Sequence, residues 1–485
     1  MKTLPVLLAD FYKTCHAEQY DPKITKVVSY YVPRKSRLYN MNNVVFFGLQ
    51  AFIGEYLVKY FNENFFDRSI KDIISEYEDV LEQTMGPNRC HSEKIINLHK
   101  LGYLPIEIKA LPEGTMVPIG TPMIEISNTH PDFAWCTNFI ETLMLSELWY
   151  TMCVATTSKE YRDIANKWFE KTSYISARNA ISEFGFRSLP GLHAAIKASS
   201  GFMLSFQKSS NIPAIQYVSE HYETKLKDVG GGMASTEHSV MCSSAVIDGN
   251  EKDLIKRLLT KVYPDGNFSM VCDSFDYWNI VDHILPELKT EILNRKGTLF
   301  VRGDSGDPIN IVTQTVFHLW STFGGTTNEK GYKVLVPQVR AIYGDSITQA
   351  RADKIYSVLE AHGFSAENVA LGAGGFSMLC YELDGDLCPL TRDTFNVAIK
   401  CTYVEYNDKP IPVYKNPKTD SGMKKSHKGC CAVIKSDDTL KCIDGLTFAD
   451  TNLSINWLKP VFRNGNFLSL TNLKQVRHNL WGGKF

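Results

Sequence analysis

The sequence predicts an α/β protein that consists of an irregular (β/α) barrel and an additional α+β domain. From about residue 176 onward, short apolar runs alternate with amphipathic stretches of roughly 12 to 18 residues, which is the pattern of repeated β-α units. The first 150 residues instead mix helical and extended patterns without that alternation. A chain of 485 residues also suits more than one hydrophobic core, because single cores stop growing near roughly 250 to 300 residues.

Seven apolar runs supply the predicted barrel strands, and each run ends in small, acidic or basic residues. In chain order they read NAISEFGFR, FMLSFQ, GGMASTEH, FSMVCDSFD, TLFVRGDSG, VRAIYGDS and VALGAGG. The predicted helices between them read PGLHAAIKASSG, PAIQYVSEHYETKL, EKDLIKRLLTKVY, YWNIVDHILPELKTEILNR, DPINIVTQTVFHLWSTF and ITQARADKIYSVLEAHG. In barrels of this kind the functional groups gather where strands continue into the following loops. We therefore expect the site at these strand exits.

The α+β domain is predicted over residues 1–150, with helices in GLQAFIGEYLVKYF and SIKDIISEYEDVLEQTM and a strand in ITKVVSYYV. The end of the chain returns to extended patterns, NVAIKCTYVEYN and KGCCAVIKS. We expect residues 393–485 to complete the first domain, which leaves 151–392 for the barrel.

Composition excludes several classes of partner. The 52 lysine and arginine residues are balanced by 53 acidic residues, so the formal charge of −1 provides no field that would attract nucleic acid or an anionic membrane. No apolar run approaches the roughly 18 residues that a membrane-spanning helix needs. Any polyanionic ligand must therefore be bound by local groups.

The 12 cysteines are scattered without any C-x-x-C pair, so the spacing typical of zinc sites is absent. Many lie within apolar runs, which suits reduced thiols in a reducing compartment. The start, MKTLPVLLADFYK, lacks a long apolar core and a small-residue cleavage site, and is interpreted as mature protein. We expect a cytoplasmic protein.

The segment VRGDSG delivers Arg302, Asp304 and Ser305 into a turn before a helix that opens at Asp307. Arginine can bind phosphate through two hydrogen bonds, and a carboxylate can accept sugar hydroxyls or bind Mg²⁺ through water. Taken alone, the segment is equally compatible with an ordinary strand-to-helix turn that has a capping serine. An RGD adhesion motif would require an exposed loop on a secreted protein, and nothing in the sequence indicates secretion.

The next two exits add a second acid and a glycine cluster. IYGDS supplies Gly344 and Asp345, and VALGAGG supplies Gly374 and Gly375, whose backbone N–H groups can form an anion-binding nest. Arg392, in LTRD, can add a further cation. One such run is a weak signal, whereas three consecutive exits would present a cation, hydroxyl acceptors and amide donors to one phosphorylated sugar.

A histidine and two aromatic residues complete the candidates. His238, in STEHS, can accept a phosphoryl group at its strand exit, although a lone histidine is more often structural. Tyr12, in DFYKTCHAEQY, and Phe184, in FGFR, can stack on the two faces of a flat ring, although aromatic residues usually belong to a core.

Taken in order, these motifs resemble the nicotinamide phosphoribosyltransferase family, within the nicotinate and nicotinamide group of type II phosphoribosyltransferases. The resembling stretches are DFYKTCHAEQY, VVFFGLQ, LPIEIKALPEG, EFGFR, STEHS, DSFD, VRGDSG, YGDS, GAGG, LTRD and KCTYV. The resemblance implies a pentosyltransferase that forms nicotinamide mononucleotide and pyrophosphate from nicotinamide and 5-phosphoribosyl 1-pyrophosphate in NAD salvage. It also implies a homodimer with shared active sites, Mg²⁺ bound through the substrate and ATP as a co-substrate.

The resemblance assigns roles to individual residues. The pyridine ring would lie between Phe184 and Tyr12 of a partner chain, Arg187 and Arg302 would bind pyrophosphate, and His238 would be phosphorylated. The residues that match the ribose and nucleotide contacts are Asp304, Gly344, Asp345, Gly375 and Arg392.

The sequence departs from the family after FQK, where the family has an aspartate that accepts the carboxamide N–H. This chain has Ser210 and Asn211 there, which can still accept from an amide but repel a carboxylate far less. Nicotinate phosphoribosyltransferase therefore stays open as an alternative, as do a non-catalytic protein that retains the barrel as a binding scaffold and an unrelated barrel enzyme acting on a phosphorylated sugar.

Overall fold

The computed structural model describes residues 3–87, 91–419, 424–437 and 439–485, which fold into two compact units. The first unit contains the described residues up to Thr156 together with Glu220–Thr224 and Leu390–Lys484. The second unit contains Thr157–Ser219, Lys225–Pro389 and Phe485.

The first unit is built on a seven-stranded sheet in which all neighbouring strands are antiparallel. Its strands, in spatial order, are Lys409–Pro412, Val397–Tyr406, Ile24–Pro33, Ile124–Asn128, Ile106–Ala110, Lys459–Arg463 and Asn466–Phe467. In the central strand Ile24–Pro33, Val27, Val28, Tyr30 and Tyr31 are fully buried, so this strand is covered on both faces. Two antiparallel pairs accompany the sheet. One joins Asn43–Val45 to Met116–Pro118, and the other, called the C-terminal hairpin below, joins Cys430–Ser436 to Thr439–Leu446.

The helix Ile70–Met85 illustrates how the helices of this unit bury one face. Ile73, Tyr77 and Leu81 recur every four residues and are buried, and Gly86 ends the helix with a φ of 92°. The remaining helical segments are Pro5–Leu7, Phe11–Thr14, His16–Gln19, Leu49–Phe52, the π-helical Ile53–Tyr60 and Asn62–Phe66, Glu93–Leu101, Pro131–Phe133, Cys136–Phe139, Ala449–Thr451, Leu473–Trp481 and the first half of Glu141–Thr172, whose residues from Thr157 onward belong to the second unit. Within the described part of the chain, no helix combines the length and apolarity needed to cross a membrane.

The second unit is built on a curled sheet of six parallel strands. In spatial order they are Ile181–Glu183, Val369–Ala373, Val339–Tyr343, Leu299–Gly303, Phe268–Val271 and Ala234–Ser235. Isolated parallel bridges from Glu183 to Ser209 and from Lys208 to Gly231 extend the sheet beyond its first strand. The result is an irregular half-barrel, and the α/β class expected from the sequence is confirmed.

In the second unit, the helix Pro308–Phe323 begins shortly after a strand exit because a capping residue stands there. Asp307 accepts a hydrogen bond from the amide of Asn310, and Pro308 occupies the first helical position. The helical segments are Ala177–Asn179, Phe186–Ser188, Leu192–Phe202, Ile212–His221, Leu226–Val229, His238–Asp248, Glu251–Arg257, Leu258–Val262, Tyr277–Asn279, Ile280–Ile284, Leu285–Glu287, Lys289–Leu293, Pro308–Phe323, Gln349–Ala361, Ala366–Asn368 and Gly375–Leu379. Two hairpins join Gly325–Thr327 to Lys333–Leu335 and Cys380–Leu383 to Asp386–Pro389.

One predicted strand is wrong. The run FMLSFQ lies at the end of the helix Leu192–Phe202 and in the turn that follows, and the parallel bridges fall on Lys208 and Ser209 instead. A short apolar run is compatible with either a buried strand or the buried end of a helix, so periodicity alone does not separate them.

Candidate active site

The strand exits of the second unit surround a cavity of about 850 Å³. Carboxyl ends of parallel strands share one edge of a sheet, so loops far apart in the chain meet there. The residues that line the cavity are Phe184, Phe186, Arg187, Ser188, Ser210, Ser235, Thr236, Glu237, His238, Arg302, Asp304, Gly344, Asp345, Gly374 and Gly375.

The exit of Leu299–Gly303 presents a close pair of opposite charges. Nη2 of Arg302 donates to Oδ2 of Asp304 at 2.6 Å, and both side chains are largely shielded from solvent, with 19% and 18% exposed. Nε of Arg302 is buried and has no hydrogen-bond partner in the described part of the chain. A buried donor of this kind is normally satisfied, so a bound anion is a natural acceptor for it.

The neighbouring exit brings Gly344 and Asp345 against this pair. A Cβ atom at Gly344 would lie 2.6 Å from Oδ1 of Asp304 and 3.5 Å from Nε of Arg302, so only glycine leaves the carboxylate where it stands. Oδ1 of Asp345 accepts a hydrogen bond from the amide of Ser346 at 2.8 Å. Three polar side chains of two exits therefore converge on one wall of the cavity.

Gly372 in the strand Val369–Ala373 and Gly375 just beyond it contact the loop that carries Phe184 and Ser188. A Cβ atom at Gly372 would lie 2.7 Å from Cδ2 of Phe184, which means that the phenylalanine ring rests directly on this glycine. A Cβ atom at Gly375 would lie 2.6 Å from Cβ of Ser188. Because these positions are glycines, the ring of Phe184 packs directly against the backbone at the cavity.

Glu183 fixes the loop that carries Phe184 and Arg187. It is fully buried and accepts hydrogen bonds from the amide of Gly185 at 2.6 Å and from the hydroxyls of Ser199 at 3.0 Å and Ser209 at 2.8 Å. Burial raises the pKa of the Glu183 carboxyl, and these hydrogen bonds only partly oppose that rise. No role for Glu183 is apparent from the sequence, because its position inside EFGFR is typical of the end of a strand.

His238 begins the helix His238–Asp248 at the cavity, and Asp273 accompanies it. Nε2 of His238 lies 3.0 Å from Oδ1 of Asp273, whose other oxygen accepts from the hydroxyl of Ser305 at 2.6 Å. Asp273 lies in DSFD, one of the stretches that resemble the family, but the sequence alone indicates no function for it. The available signal was its place two residues beyond the strand Phe268–Val271.

The two residues predicted to meet a carboxamide separate in the structure. Ser210 lines the cavity, whereas Asn211 is fully buried and does not. The Asn211 amide donates to the carbonyl of Ala195 and the hydroxyl of Ser199, and its oxygen accepts from the amide of Ala214. Asn211 therefore holds two helices rather than facing a ligand.

Two further predicted residues belong to the first unit. Tyr12 lies in Phe11–Thr14 and exposes 58% of its surface. Arg392 is also exposed and forms an ion pair with Asp393 at 2.5 Å. The other predicted site residues all line the cavity, together with Phe186, Ser188, Ser235 and Thr236, which the sequence did not single out.

Comparison with protein families gives two matches. Residues 179–466 match the nicotinate phosphoribosyltransferase (NAPRTase) family, and residues 5–108 match the N-terminal domain of nicotinamide phosphoribosyltransferase. The first match covers more than half of the chain and includes every cavity-lining residue named above.

Curated relatives match over nearly the full length. The chain is 36% identical to "Nicotinamide phosphoribosyltransferase" of Acinetobacter baylyi over 503 residues, covering 98% of this chain and 97% of the relative. It is 30% identical over 480 residues to the protein of the same name from Xanthomonas campestris, covering 97% of each chain.

Two solved structures share the fold. A nicotinate-nucleotide pyrophosphorylase from Pyrococcus furiosus has a TM-score of 0.58 at 14% identity, and human nicotinic acid phosphoribosyltransferase has a TM-score of 0.58 at 15% identity. Each comparison covers 98% of this chain and 93% of the solved chain. At these identities the likeness shows the fold alone.

Proposed function

The chain belongs to the nicotinate phosphoribosyltransferase family, and from that membership we propose that it is a nicotinamide phosphoribosyltransferase of NAD salvage. The reaction joins nicotinamide to 5-phosphoribosyl 1-pyrophosphate and yields nicotinamide mononucleotide and pyrophosphate. Two relatives with this name match over nearly the whole chain, and the N-terminal domain model carries the same name. The fold is that of the type II phosphoribosyltransferases.

One observation carries the proposal: a single cavity gathers the groups that a phosphorylated ribose and a flat ring require. Arg187 and Arg302 supply cations for the pyrophosphate. Asp304 and Asp345 can accept the ribose hydroxyls, and the half-buried ring of Phe184 offers a face for the pyridine. These five side chains come from three separate loops, so their convergence is a property of the fold.

The chemistry requires alignment and charge stabilisation. The pyridine nitrogen forms a bond to the anomeric carbon while the bond from that carbon to the pyrophosphate oxygen breaks, and the bonding pair leaves with pyrophosphate. Attack opposite the leaving group inverts the configuration, through a transition state with oxocarbenium character. The neutral nitrogen becomes a pyridinium without transferring a proton, so the protein contributes chiefly by orienting the reactants and stabilising the departing anion. Nε of Arg302, which has no hydrogen-bond partner among the described residues, can donate a hydrogen bond to that anion.

Mg²⁺ enters this proposal bound to the substrate. The ion prefers oxygen ligands and keeps several waters, and the carboxylates of Asp304 and Asp345 at the cavity fit such a shell. When bound, Mg²⁺ offsets negative charge on the pyrophosphate. The protein's own share of that task is assigned to Arg187 and Arg302.

His238 is assigned to the coupling with ATP. If Nε2 donates its proton to Asp273 across their 3.0 Å contact, Nδ1 holds the free lone pair and is the nucleophile. Transfer of the γ-phosphoryl group from ATP to Nδ1 forms phosphohistidine and ADP, and hydrolysis during turnover returns the imidazole and phosphate. Replacing His238 by alanine is expected to abolish stimulation by ATP while the ATP-independent reaction persists. If ATP stimulated this variant as much as the wild type, His238 would have no role in coupling.

Tyr12 and Arg392 are assigned to a homodimer in which a second copy of the chain completes each site. Tyr12 and its neighbour Phe11 expose 58% and 54% of their surfaces, which is unusual for two adjacent large aromatic residues unless they meet a partner. A cytoplasmic location is also proposed, because the described cysteines are unpaired thiols that suit a reducing compartment.

The competing function is nicotinate phosphoribosyltransferase. The hydroxyl of Ser210 at the cavity is neutral, so it does not repel the carboxylate of nicotinate as an aspartate would. The deciding assay supplies nicotinamide and nicotinate at equal concentration with 5-phosphoribosyl 1-pyrophosphate and measures both mononucleotides. We expect nicotinamide mononucleotide to dominate. Predominance of nicotinate mononucleotide would show that the protein is a nicotinate phosphoribosyltransferase. The absence of both products would indicate a non-catalytic barrel.

The variant Ser210→Asp sharpens this assay. A carboxylate at that position would repel nicotinate by charge and still accept from the amide of nicotinamide. The ratio of nicotinamide to nicotinate turnover is expected to rise at least about tenfold, because a like-charge contact costs more than about 1.4 kcal/mol in a shielded site. The same substitution at Ser321, which is exposed on the helix Pro308–Phe323 and does not line the cavity, is the control.

A further inference from the structure

We propose that the first unit contains a zinc site formed by His427, Cys431 and Cys442, with Asp444 as the fourth ligand. In the described residues, the first three side chains form a cluster whose ligand atoms all lie within 4.8 Å of one another. Two thiolates with an imidazole favour Zn²⁺, whereas Mg²⁺ and Ca²⁺ prefer oxygen ligands. This site is independent of the proposed reaction, since none of its residues lines the cavity of the strand exits.

Two separations measured from Nδ1 of His427 are close to those of a tetrahedral zinc site. Nδ1 of His427 lies 4.0 Å from Sγ of Cys442 and 3.4 Å from Oδ2 of Asp444. Zinc bonds of roughly 2.3 Å to sulfur and 2.0 Å to nitrogen or oxygen, at tetrahedral angles, separate neighbouring ligand atoms by about 3.3 to 3.8 Å. The Asp444 oxygen is therefore already at the required separation from the histidine, and the Cys442 sulfur is only slightly beyond it.

His427 is held in the orientation that a metal ligand needs. Its Nε2 lies 2.8 Å from the carbonyl oxygen of Gly120, which can only accept, so Nε2 carries the proton. Nδ1 then presents its lone pair to the two sulfur atoms. Metal-bound histidines typically donate their other ring N–H to a carbonyl or carboxylate in this way.

The C-terminal hairpin delivers the two thiols from its opposite strands. Cys430 pairs with Leu446 and Ala432 pairs with Ile443, so the register is irregular at Cys431. A β-bulge of this kind redirects side chains that regular pairing would send elsewhere. It also explains why the linear sequence, which lacks a C-x-x-C pair, did not indicate zinc.

Buried hydrogen bonds fix the backbone around Cys431. Its amide donates to the hydroxyl of Tyr30 at 2.9 Å, and that hydroxyl donates to Glu125 at 2.6 Å. Glu125 in turn forms an ion pair with Lys109 at 2.9 Å, and both of these side chains are buried. Ligand side chains on a backbone that hydrogen bonds already fix lose less conformational entropy when they bind a metal ion.

The surroundings also balance the charge of a zinc site. Two thiolates, one carboxylate and a divalent ion leave a net negative charge. His427 and Asp444 line a cavity of about 290 Å³ whose other lining residues include Arg34, Lys400 and Lys425. Their positive charge stabilises the anionic site, and the cavity provides a path for the ion.

The test uses the full-length protein, purified without chelators under reducing conditions and desalted before elemental analysis. We expect about one equivalent of zinc per chain. The variants Cys442→Ser and His427→Ala are expected to lose it. Cys430→Ser is the control, because Cys430 belongs to the same hairpin, is adjacent to Cys431 and as fully buried, and is expected to retain the metal.

A second measurement does not depend on the folding of any variant. Wild-type protein stripped of zinc is titrated with Co²⁺, which should give the visible bands of tetrahedral cobalt and a thiolate-to-cobalt charge-transfer band in the near ultraviolet. Failure to bind either metal would overturn the proposal, as would equal zinc loss in Cys430→Ser and Cys442→Ser. A Cys431–Cys442 disulfide that persists in protein freshly purified under reducing conditions, detected by peptide mass spectrometry, would also overturn it.

Discussion

Nε2 of His238 lies 3.0 Å from Oδ1 of Asp273, a carboxylate that exposes only 5% of its side chain. The second oxygen of Asp273 accepts from the hydroxyl of Ser305 at 2.6 Å and from the amide of Asp304 at 3.1 Å. Burial raises the pKa of Asp273, but the hydrogen bonds from Ser305 and His238 outweigh burial and hold the pKa below its ordinary value. One ionised carboxylate therefore connects the histidine to the turn that carries Asp304.

The variant Asp273→Asn tests whether this connection serves the ATP-coupled step. An amide has similar shape but cannot stabilise a positively charged or phosphorylated imidazole. ATP-stimulated turnover is expected to fall about 10- to 100-fold, the effect of losing a charged hydrogen bond of roughly 1.5 to 3 kcal/mol. Asp276→Asn is the control, because Asp276 only caps the following helix. Normal ATP stimulation in Asp273→Asn would show that the carboxylate has no part in coupling.

The variant Asp304→Asn tests the charged pair at the strand exit. It removes the ion pair with Arg302 and an acceptor for the ribose hydroxyls. We expect kcat/KM for 5-phosphoribosyl 1-pyrophosphate to fall about 100-fold or more, as for other groups that stabilise charge in a transition state. Asp307→Asn serves as the control, since asparagine caps a helix as well as aspartate does. Near-normal turnover in Asp304→Asn would remove this residue from the site.

The variant Gly344→Ala tests the close approach of two exits. Its Cβ atom would lie 2.6 Å from Oδ1 of Asp304, so the carboxylate must move. A displacement near 1 Å at a positioning group costs about 100-fold in rate. In Gly232→Ala the new Cβ atom meets its nearest neighbour at 3.8 Å, so this control should keep its activity. Equal kcat/KM values for the two variants would contradict the described packing.

Much of the barrel could be predicted from the sequence because strand exits combine an apolar run with an abrupt change to glycine and charge. The run TLFVRGDSG contains the strand Leu299–Gly303, and the helix Pro308–Phe323 begins at its capping aspartate. The run FMLSFQ misled the prediction because Phe202, Met203 and Leu204 are buried as the end of a helix and a turn. Burial is visible in such a pattern, whereas the backbone conformation is not.

The site could be predicted only where the residue type itself indicates a chemical role, as a charged residue at a strand exit does. Arg302, Asp304 and Asp345 were found because charges at strand exits are conspicuous. Asp273 and Glu183 were missed because their functions depend on partners 35 and 16 to 26 residues away, in contacts that only the folded chain reveals.

The raised pKa of Glu183 predicts a pH-dependent stability. Its folded pKa lies above the ordinary value of 4.5, so the unfolded chain ionises first as the pH rises. The contribution of Glu183 to the free energy of unfolding is complete below about pH 4.5 and is lost as the pH rises through the folded pKa. Urea titrations at several pH values should therefore show a steeper decline above pH 4.5 for the wild type than for Glu183→Gln. Parallel pH profiles would contradict the raised pKa.

The proposed homodimer predicts complementation between two inactive variants. Tyr12→Ala and Phe184→Ala should each lose most activity, because each removes one face of the ring sandwich. Mixed dimers formed by co-expression contain one intact site, so random pairing should restore about a quarter of the wild-type activity. No recovery would show that both aromatic residues of a site belong to one chain. Full activity of either single variant would reject the sandwich.

The most direct measurement is a crystal structure with nicotinamide mononucleotide and pyrophosphate. The account predicts the pyridine against the ring of Phe184, the ribose hydroxyls at Asp304 and Asp345, and a pyrophosphate oxygen within about 3 Å of a nitrogen of Arg302. A mononucleotide bound with clear density outside this cavity would contradict it.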